Sequence, residues 1–424
     1  MRSVDYLIIG GGITGLTFAG KIDTNNYVIV EKEDTLGGLC RTHYVGNYVW
    51  DYAGHFFHFS NDELRMKFNS HFNSSNIVHC KKNTKIHYKG HLIDYPFQKN
   101  IHQLQKEEFI DCFYDLYFKE VKDNYHDFLD MLYGKFGISI TDKFLKPYNE
   151  KLYACDLKEL DTDAMGRFFP YADINEIVKN MRDNDNVSYN TYFDYPKKGA
   201  QTIIDILKHD INLKNVMLNS KVDHIDVEKH IAIINGVPIS YNNLINTIPF
   251  SKFISLYNSP IDSSKLTANK VLVFNIGFDK KTEDHLNHWL YFPESDFCFY
   301  RVGFYDNILS SNYGSIYVEL GFKENFALPD SYVKDLFDTV ICDLKKAKIL
   351  TNQKVIEYEY LVIDPGYVHI TSETNSIIKK EFDRLKEKNI YSIGRYGRWT
   401  YCSMEDCMLQ AFVLANKIKN NDSI

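Results

Sequence analysis

The sequence DYLIIGGGITGLTFA, from Asp5 to Ala19, joins an apolar run to three consecutive glycines and then to a helix-forming segment. A secretion signal needs an apolar core without breaks, and a membrane span needs about 20 apolar residues. Gly10, Gly11 and Gly12 interrupt the run well before that length, so we expect neither a signal nor a membrane anchor here. The glycines instead indicate a tight turn between a buried strand and a helix.

The glycine spacing is that of a dinucleotide-binding turn, because G-x-G-x-x-G is followed by a second apolar strand, YVIVE, that ends in Glu31. In this pattern Gly10 permits the turn, Gly12 lets a pyrophosphate approach the backbone, and Gly15 lets the helix pack closely on the strand. Glu31 is placed to hydrogen-bond a ribose hydroxyl. The candidate dinucleotide-binding residues of this segment are Gly10, Gly12, Ile13, Thr14, Gly15, Glu31 and Lys32.

Three further segments resemble flavoproteins of the glutathione-reductase and amine-oxidase type. They are KEDTLGGLCRT (Lys32–Thr42), WDYAGHFFHF (Trp50–Phe59) and NIYSIGRYGRW (Asn389–Trp399). The resemblance implies that the cofactor is FAD. We expect it to be bound without a covalent link, because no cysteine or histidine stands in a recognisable flavin-linkage motif. It also implies cofactor contacts in these segments and in a later hairpin, at Gly38, Leu39, Gly54, His55, Val222, Gly394 and Arg395.

The composition is that of an ordinary globular protein, with 424 residues, 44% hydrophobic and 25% charged. The net charge of -7 argues against a nucleic-acid-binding protein, which normally has a basic surface. Eight cysteines stand at irregular spacings without a metal-binding pattern. We therefore predict no metal site, and we expect reduced thiols in a cytoplasmic protein.

The order of apolar patterns predicts an α/β fold, in which a Rossmann-type FAD-binding domain carries an inserted helical subdomain and a mixed or antiparallel β-sheet substrate domain. The segment KVDHIDVEKHIAIINGVPISYNN predicts a hairpin with Asn235–Gly236 at its tip. The segments KVLVFNIGF and GSIYVELGF predict strands of a sheet over the flavin. The predicted FAD-binding domain comprises residues 1–90, 196–250 and 385–420, the helical subdomain 100–190, and the sheet domain 265–380.

Four segments together resemble the UDP-galactopyranose mutases, flavoenzymes that interconvert the six- and five-membered ring forms of UDP-galactose. YPFQKNI resembles their uridine-binding segment, and KPYNEKLYACDL followed by AMGRFF resembles the segment that contacts the sugar and the diphosphate. The family usually has tryptophan where this chain has Tyr153. The substrate-binding residues implied here and in the following loop are Tyr95, Gln98, Asn149, Tyr153, Arg167 and Asn190.

The other two segments are WLYFPESDFCFYRVGFYDN (Trp289–Asn307) and GRYGRWTYCSMEDCM (Gly394–Met408). The first implies that Tyr291 and Arg301 hold the two phosphates, so that Arg301 is expected to face the substrate and not the core. The second implies that Arg395 touches the flavin and Tyr401 the substrate phosphate.

The chain departs from the family at Ser403, where bacterial members carry an aspartate. Asp406 or Glu405 could supply a carboxylate nearby. The departure leaves the sugar, and with it the activity, open.

The resemblance implies an isomerase of the UDP-galactopyranose mutase type, acting on a UDP-sugar in polysaccharide biosynthesis for the cell envelope. In that family N5 of the reduced flavin attacks the anomeric carbon, UDP leaves, and the ring of the flavin–sugar adduct recloses through another hydroxyl. The implied catalytic residues are Arg167, Arg301 and His55, and NAD(P)H or another reductant primes the flavin.

Two alternatives remain open from the sequence, and so does the formation of a homo-oligomer. The first is an FAD-dependent oxidoreductase of the amine-oxidase or protoporphyrinogen-oxidase type, which explains the terminal motifs but not Gln98, Tyr291 or Arg301. The second is a binding protein with an FAD fold and no activity.

Overall fold

The computed structural model describes residues 1–73, 75–120, 122–183 and 191–420. The strands are β1 (Arg2–Ile9), β2 (Tyr27–Val30), β3 (Thr42–Val45), β4 (Tyr48–Asp51), β5 (Ile77–Lys81), β6 (Thr84–Tyr88), β7 (His91–Asp94), β8 (Tyr192–Pro196), β9 (Val216–Met217), β10 (Val222–Asp226), β11 (Ile231–Ile234), β12 (Val237–Asn246), β13 (Asn269–Phe278), β14 (Trp289–Tyr291), β15 (Arg301–Phe304), β16 (Ser315–Lys323), β17 (Val355–Ile363) and β18 (Ile390–Ser392). The helices are α1 (Ile13–Ala19), α2 (Asp62–Asn69), α3 (Lys106–Tyr117), α4 (Phe128–Ile140), α5 (Lys146–Tyr153), α6 (Ile174–Asp183), α7 (Gln201–Lys208), α8 (Phe250–Ile254), α9 (Tyr305–Leu309), α10 (Asp330–Lys346), α11 (Ser372–Lys386), α12 (Gly394–Gly397) and α13 (Met404–Asn420).

The first sheet has the strand order β10-β11-β12-β1-β2-β9, with β18 beside β12. Strand β1 pairs in parallel with both β2 and β12, and β12 pairs in parallel with β18. Leu7 and Ile9 of β1 face one apolar core, and Ile8 faces another, because successive side chains of a strand point to opposite sides. Burial on both faces explains why β2 and the last three residues of β1, Leu7 to Ile9, are continuously apolar.

The core on one face of this sheet is shared with α1, α7 and α13. All seven residues of α1 are buried, and α13 packs directly against them. The helix that follows the glycines is therefore held between the sheet and the C-terminal helix.

The predicted hairpin of the first sheet is confirmed. Strands β11 and β12 are antiparallel, and Ile234 pairs with Val237 across a two-residue turn. Both turn residues have positive φ, 47° at Asn235 and 77° at Gly236. Asparagine and glycine tolerate this conformation best, which is why the dipeptide predicts the turn.

Residues between 100 and 183 are mainly helical, as their apolar spacing predicts. Helices α3 and α4 pack together, and a π-helical turn, Thr141–Leu145, joins α4 to α5. Inside α4, Gly137 has φ 77° and lies against the backbone of Asp115, so the helix kinks where the two helices meet. No helix within the described ranges is long and apolar enough to cross a membrane.

The second sheet has the order β17-β13-β16-β15-β14-β6-β7, and α10 covers one of its faces with an apolar core. Strands β14 and β15, both from the aromatic segment Trp289–Asn307, form an antiparallel pair with Tyr291 opposite Arg301. Strands β6 and β7 belong to this sheet, since β6 pairs in parallel with β14. This pairing joins residues 84–94 to the second sheet, whereas the predicted FAD-binding segment 1–90 includes β6. The limits of the predicted domains otherwise stay predictions.

Candidate functional site

A cavity of about 1650 Å³ is lined by residues from both sheets. The glycine turn after β1 and the loop around Gly38 form one end. Strands β14, β15 and β16 contribute Tyr291, Arg301 and Tyr317, and the C-terminal segment contributes Arg395 to Cys407. Residues from distant parts of the chain therefore meet in one space.

The two glycine loops lie against each other at the base of this cavity. The Gly37 N–H donates to the Gly11 carbonyl at 2.9 Å. Gly10 has φ 104°, a conformation that other residues rarely adopt. A Cβ built on Gly15 would overlap the carbonyl oxygen of Gly10. The helix can therefore lie this close to the turn only because residue 15 is glycine.

The space beside Gly12 fits a pyrophosphate. A Cβ built on Gly12 would meet no atom closer than the Gly38 Cα at 3.9 Å, so the two residues leave an open groove facing the cavity. The groove lies next to the start of α1, whose backbone N–H groups favour an anion. The residues present therefore fit the pyrophosphate of a dinucleotide.

Glu31 is buried, with 7% of its surface exposed, at the edge of this groove. Its Oε2 accepts a hydrogen bond from the Gly11 N–H at 2.8 Å, and its Oε1 accepts one from the Glu33 N–H at 3.0 Å. The carboxylate therefore holds the glycine turn to the end of β2. Sequence reasoning predicts only its contact with a ribose and misses this structural role.

His55 lies in the turn after β4, where Ala53 has φ 66°. The His55 Nδ1–H donates to the Ala53 carbonyl at 3.1 Å. Burial, with the positive charges of Arg395 and Arg301, lowers the pKa of His55 to about 4. The imidazole is therefore neutral at pH 7, and its Nε2, which carries no proton, can accept a hydrogen bond.

Arg301 lines the cavity but is also fixed from behind by Glu319, its partner across β15 and β16. Its Nε and Nη2 donate to the Glu319 carboxylate at 2.6 to 3.0 Å, and the Tyr300 hydroxyl donates to the same group at 2.6 Å. Burial opposes the charge of Arg301, yet the Glu319 carboxylate holds its pKa well above the usual value. Arg301 therefore lines the cavity while its guanidinium is bound to a carboxylate that is only 1% exposed, a buried contact that the motif does not predict.

Aromatic rings surround Tyr291. Its hydroxyl accepts a hydrogen bond from the Trp289 indole N–H at 2.9 Å. Its ring lies 5.2 Å from that of Tyr95 and 5.1 Å from that of Tyr148, measured between centroids. Burial raises the pKa of Tyr291, so its phenol stays protonated and can donate a hydrogen bond.

Arg395 lies among three tyrosines at the opposite wall. Its guanidinium carbon is 4.5 Å from the ring centroid of Tyr401, and its Nη1 donates to the Cys402 carbonyl at 3.2 Å. Within the described residues Arg395 forms no salt bridge. Its charge is therefore not neutralised by a carboxylate, in contrast to that of Arg301.

Arg167 reaches the cavity from the turn Gly166–Phe168 and is more exposed, with 57% of its side chain accessible. Its Nη2 donates to Asp406 Oδ1 at 2.6 Å. The Ser403 hydroxyl and backbone N–H both donate to Asp406 Oδ2 at 2.8 Å. Asp406 is thus the carboxylate beside Arg167, whereas Glu405 accepts hydrogen bonds from Ser60 and Asn61.

The NAD(P)-binding Rossmann-like domain family matches residues 8–70, the part that carries both glycine loops. A crystal structure of reduced UDP-galactopyranose mutase superimposes with a TM-score of 0.91 over 99% of this chain and 96% of that chain, at 22% sequence identity. The chain shares the fold of UDP-galactopyranose mutase. Together with the glycine geometry, these matches identify a site for a dinucleotide cofactor.

Two other solved structures have a related fold. A protein assigned as a protoporphyrinogen oxidase, from Exiguobacterium sp. 255-15, covers 100% of both chains with a TM-score of 0.79 and 15% identity. A putrescine oxidase variant covers 99% of both chains with a TM-score of 0.63 and 10% identity. The fold that this chain shares with the mutase is therefore also that of oxidases.

Most of the residues predicted from the mutase and flavoprotein motifs line the cavity. They are Gly10, Gly12, Ile13, Thr14, Glu31, Lys32, Gly38, Leu39, Gly54, His55, Tyr95, Asn149, Arg167, Val222, Tyr291, Arg301, Arg395 and Tyr401. Gly15 and Gly394 lie behind the lining, and Gly394, with φ 83°, packs against Thr14. Asn190 lies outside the described residues.

Gln98 and Tyr153 are the two predicted substrate contacts that the structure does not bring to the cavity surface. Gln98 is fully buried and donates from Nε2 to the Pro170 carbonyl, while its Oε1 has no partner. Tyr153 is 1% exposed, its hydroxyl has no partner, and its ring packs near Tyr367. Both side chains are covered by neighbouring cavity-wall residues, so a direct contact with substrate requires that wall to move.

Glu319, Tyr148 and Lys151 are functional candidates that the motifs miss. Glu319 binds Arg301 and the ring of Tyr148 packs against Tyr291, the two residues predicted to contact the phosphates. The Lys151 Nζ donates to four carbonyls of the loop between β14 and β15, those of Phe292, Glu294, Phe297 and Phe299. The one sequence feature that could have pointed to Glu319 is that it is the single acidic residue in the apolar strand GSIYVELGF.

Proposed function

We propose that the chain is a flavin-dependent mutase that interconverts the pyranose and furanose forms of a UDP-sugar, UDP-galactose or a close relative. One observation carries the proposal: Tyr291 and Arg301 stand opposite each other and line the same cavity as the dinucleotide groove. A hydrogen-bond donor and a cation, side by side next to a cofactor groove, suit a second anionic ligand such as a nucleoside diphosphate. The shared fold with UDP-galactopyranose mutase supports this assignment.

FAD is the cofactor in this proposal. The groove between Gly12 and Gly38 would hold its pyrophosphate, and the segment around Val222 its adenosine end. Arg395 and His55 would face its ring system. When bound and reduced, FAD would supply the nucleophile that takes the sugar from UDP.

The residues of this chain would act mainly on the leaving diphosphate. Negative charge gathers on UDP as its bond to the sugar breaks, and fixed cations stabilise that charge most when water is excluded. Arg395, beside the flavin ring, would add a net positive charge to the site, because no carboxylate within the described residues neutralises it. Arg301 would mainly orient the diphosphate through hydrogen bonds, because Glu319 fixes its guanidinium plane and offsets its charge.

Neutral groups would complete the site without adding charge. Burial keeps Tyr291 protonated, so its hydroxyl would donate to a phosphate oxygen. The neutral His55 would accept a hydrogen bond at Nε2. The Tyr95 ring, beside Tyr291, would stack on the uracil base.

An FAD-dependent oxidase is the second candidate, because the protoporphyrinogen-oxidase and putrescine-oxidase structures share this fold. It needs no diphosphate site. The arrangement of Tyr291 and Arg301 therefore favours the mutase.

The test is to incubate dithionite-reduced protein with UDP-galactose, UDP-N-acetylgalactosamine and UDP-arabinose and to separate the products by chromatography. We expect a furanose form of at least one sugar, with no net consumption of reductant. Oxidised protein is the matched control and should give no product. One NAD(P)H consumed or one hydrogen peroxide formed per substrate molecule would instead assign the chain to the oxidases.

A further inference from the structure

Cys402 and Cys407 form a close thiol pair on the wall of the dinucleotide cavity. Their Sγ atoms are 3.6 Å apart. Both residues are largely shielded from the outer surface, 8% and 6% exposed, yet both line the cavity. A disulfide needs about 2.05 Å between the sulfurs, so a shift of about 1.5 Å would join them.

The surroundings make the two thiols unequal. Cys407 lies in the first turn of α13, where helix N–H groups favour a negative charge. The hydrogen bond shared with Cys402, in which either sulfur can be the donor, lowers the pKa of Cys407 against the opposing effect of burial, and contacts with Thr14 and Arg395 act in the same direction as the hydrogen bond. The same hydrogen bond raises the pKa of Cys402. Cys407, which unlike Cys402 lies in the first turn of a helix, is therefore the nucleophile of the pair, and Cys402 is its partner.

We propose that Cys402 and Cys407 form a peroxide-reactive dithiol site that opens onto the cavity. The Cys407 thiolate attacks one oxygen of hydrogen peroxide, an S–O bond forms, and the O–O bond breaks with release of hydroxide. The Cys402 sulfur then attacks Cys407 and displaces the second oxygen. The two thiols lose two electrons and two protons, and the peroxide is reduced to two molecules of water.

The other cysteines lack this combination of features. Burial raises the pKa of Cys112 and of Cys155 to about 12, which leaves both as unreactive thiols. Cys342 is exposed, but no other thiol of the described residues contacts it. Cys40 lies 3.6 Å from the sulfur of Met404, a thioether that cannot form a disulfide. Among the cysteines of the described residues, only Cys402 and Cys407 have sulfur atoms in contact with another thiol.

The inference does not depend on the sugar chemistry, because it concerns only thiols and peroxide. The experiment treats the purified protein with hydrogen peroxide, denatures it, alkylates it with N-ethylmaleimide and measures its intact mass. We expect two of the eight cysteines to escape alkylation, with a mass loss of about 2 Da before alkylation. Peptide mapping should place the disulfide between Cys402 and Cys407.

Single variants separate the two roles. In Cys402→Ser the Cys407 sulfenic acid should persist and be trapped by dimedone, whereas in Cys407→Ser no sulfenic acid should form at Cys402. Cys342→Ser is the matched control and should still lose two thiols. The proposal is overturned if Cys402 and Cys407 of the unmodified chain remain alkylatable while Cys342 is oxidised, or if the disulfide joins other cysteines.

Discussion

Arg301 shows how a buried neighbour, here the Glu319 carboxylate, can change the role expected for a residue from its motif. The mutase-like segment marks Arg301 as a phosphate contact, and the structure places it on the cavity wall. Its position opposite Glu319 follows from the register of β15 and β16, which joins residues 18 positions apart. No local pattern sets that register, so the sequence predicts the cation but not its buried counter-ion.

The first prediction concerns this pair. Arg301→Ala leaves the Glu319 carboxylate buried without its cation, which typically destabilises a protein by about 3–5 kcal/mol. We expect a loss of that order in urea denaturation. Arg301→Ala combined with Glu319→Gln should recover most of it, because the amide carries no charge. Equal stability of the single and double variants would show that the unpaired Glu319 carboxylate does not destabilise the fold.

The second prediction concerns buried histidines. Burial lowers the pKa of His288, like that of His55, to about 4, while an unfolded histidine titrates near 6.5. Between these values the unfolded state binds a proton that the folded state does not, so stability falls as pH decreases from about 6.5 towards 4. For His288, which is 9% exposed, the loss from pH 7 to pH 5 is about 2 kcal/mol.

The measurement is urea unfolding at pH 7 and pH 5. His288→Gln should lose less stability over this interval than the unmodified chain, by about the amount given. His126→Gln, at an exposed position, should retain the full loss. An unchanged loss in His288→Gln would show that the buried imidazole is already charged at pH 5.

At the scale of elements, the sequence predicts strands, helices and the Asn235–Gly236 turn from local spacing. It does not predict how the loop between β14 and β15 is held. Four carbonyls of that loop point at the Lys151 ammonium from α5, more than 140 positions earlier in the chain. An ammonium has three protons, so the four carbonyls share them. This contact ties the loop that connects the strands carrying Tyr291 and Arg301 to α5.

The third prediction is that Lys151→Met releases this loop. Methionine keeps much of the apolar stem but leaves four carbonyls without a donor, so local opening becomes easier. We expect amide hydrogen exchange in residues 292–300 to accelerate about tenfold or more. Lys158→Met, at an exposed position, is the matched control. Unchanged exchange in Lys151→Met would mean that packing alone holds the loop.

For the whole molecule, the glycine fingerprint predicts the dinucleotide groove, because its spacing encodes a complete local structure. The remaining cavity depends on which distant segments meet, as when Arg395 and Tyr401 join Tyr291 and Arg301. The motif resemblance identifies these residues as site candidates. It does not predict that Gln98 and Tyr153 are buried away from the cavity surface. Gln98 and Tyr153 differ from the prediction because packing between distant segments, and not local sequence, determines how deeply a side chain is buried.

The fourth prediction separates folding from cofactor binding. Gly12→Val should fold, because the space beside Gly12 is open. It should not bind FAD, because the valine side chain would fill the groove proposed for the pyrophosphate. Gly15→Val should fail to fold, because its side chain meets the Gly10 carbonyl. A ligand that binds only the folded state raises its stability by about 2.7 kcal/mol at 100 times its Kd. The thermal midpoint of the unmodified chain should therefore rise with FAD, and that of Gly12→Val should not.

The packing of α13 on α1 has a consequence for synthesis on the ribosome. Roughly 390 residues separate Ile13 from Met404, and translation adds about 5–20 residues per second, so α1 emerges about 20 to 80 seconds before its partner. During that time the apolar side of α1 that α13 covers is open to chaperones and to other nascent chains. Strand β18 reaches β12 equally late. The dinucleotide site is thus completed only after β18 and α13 have been synthesised, so a cofactor that needs the whole site cannot bind before that point.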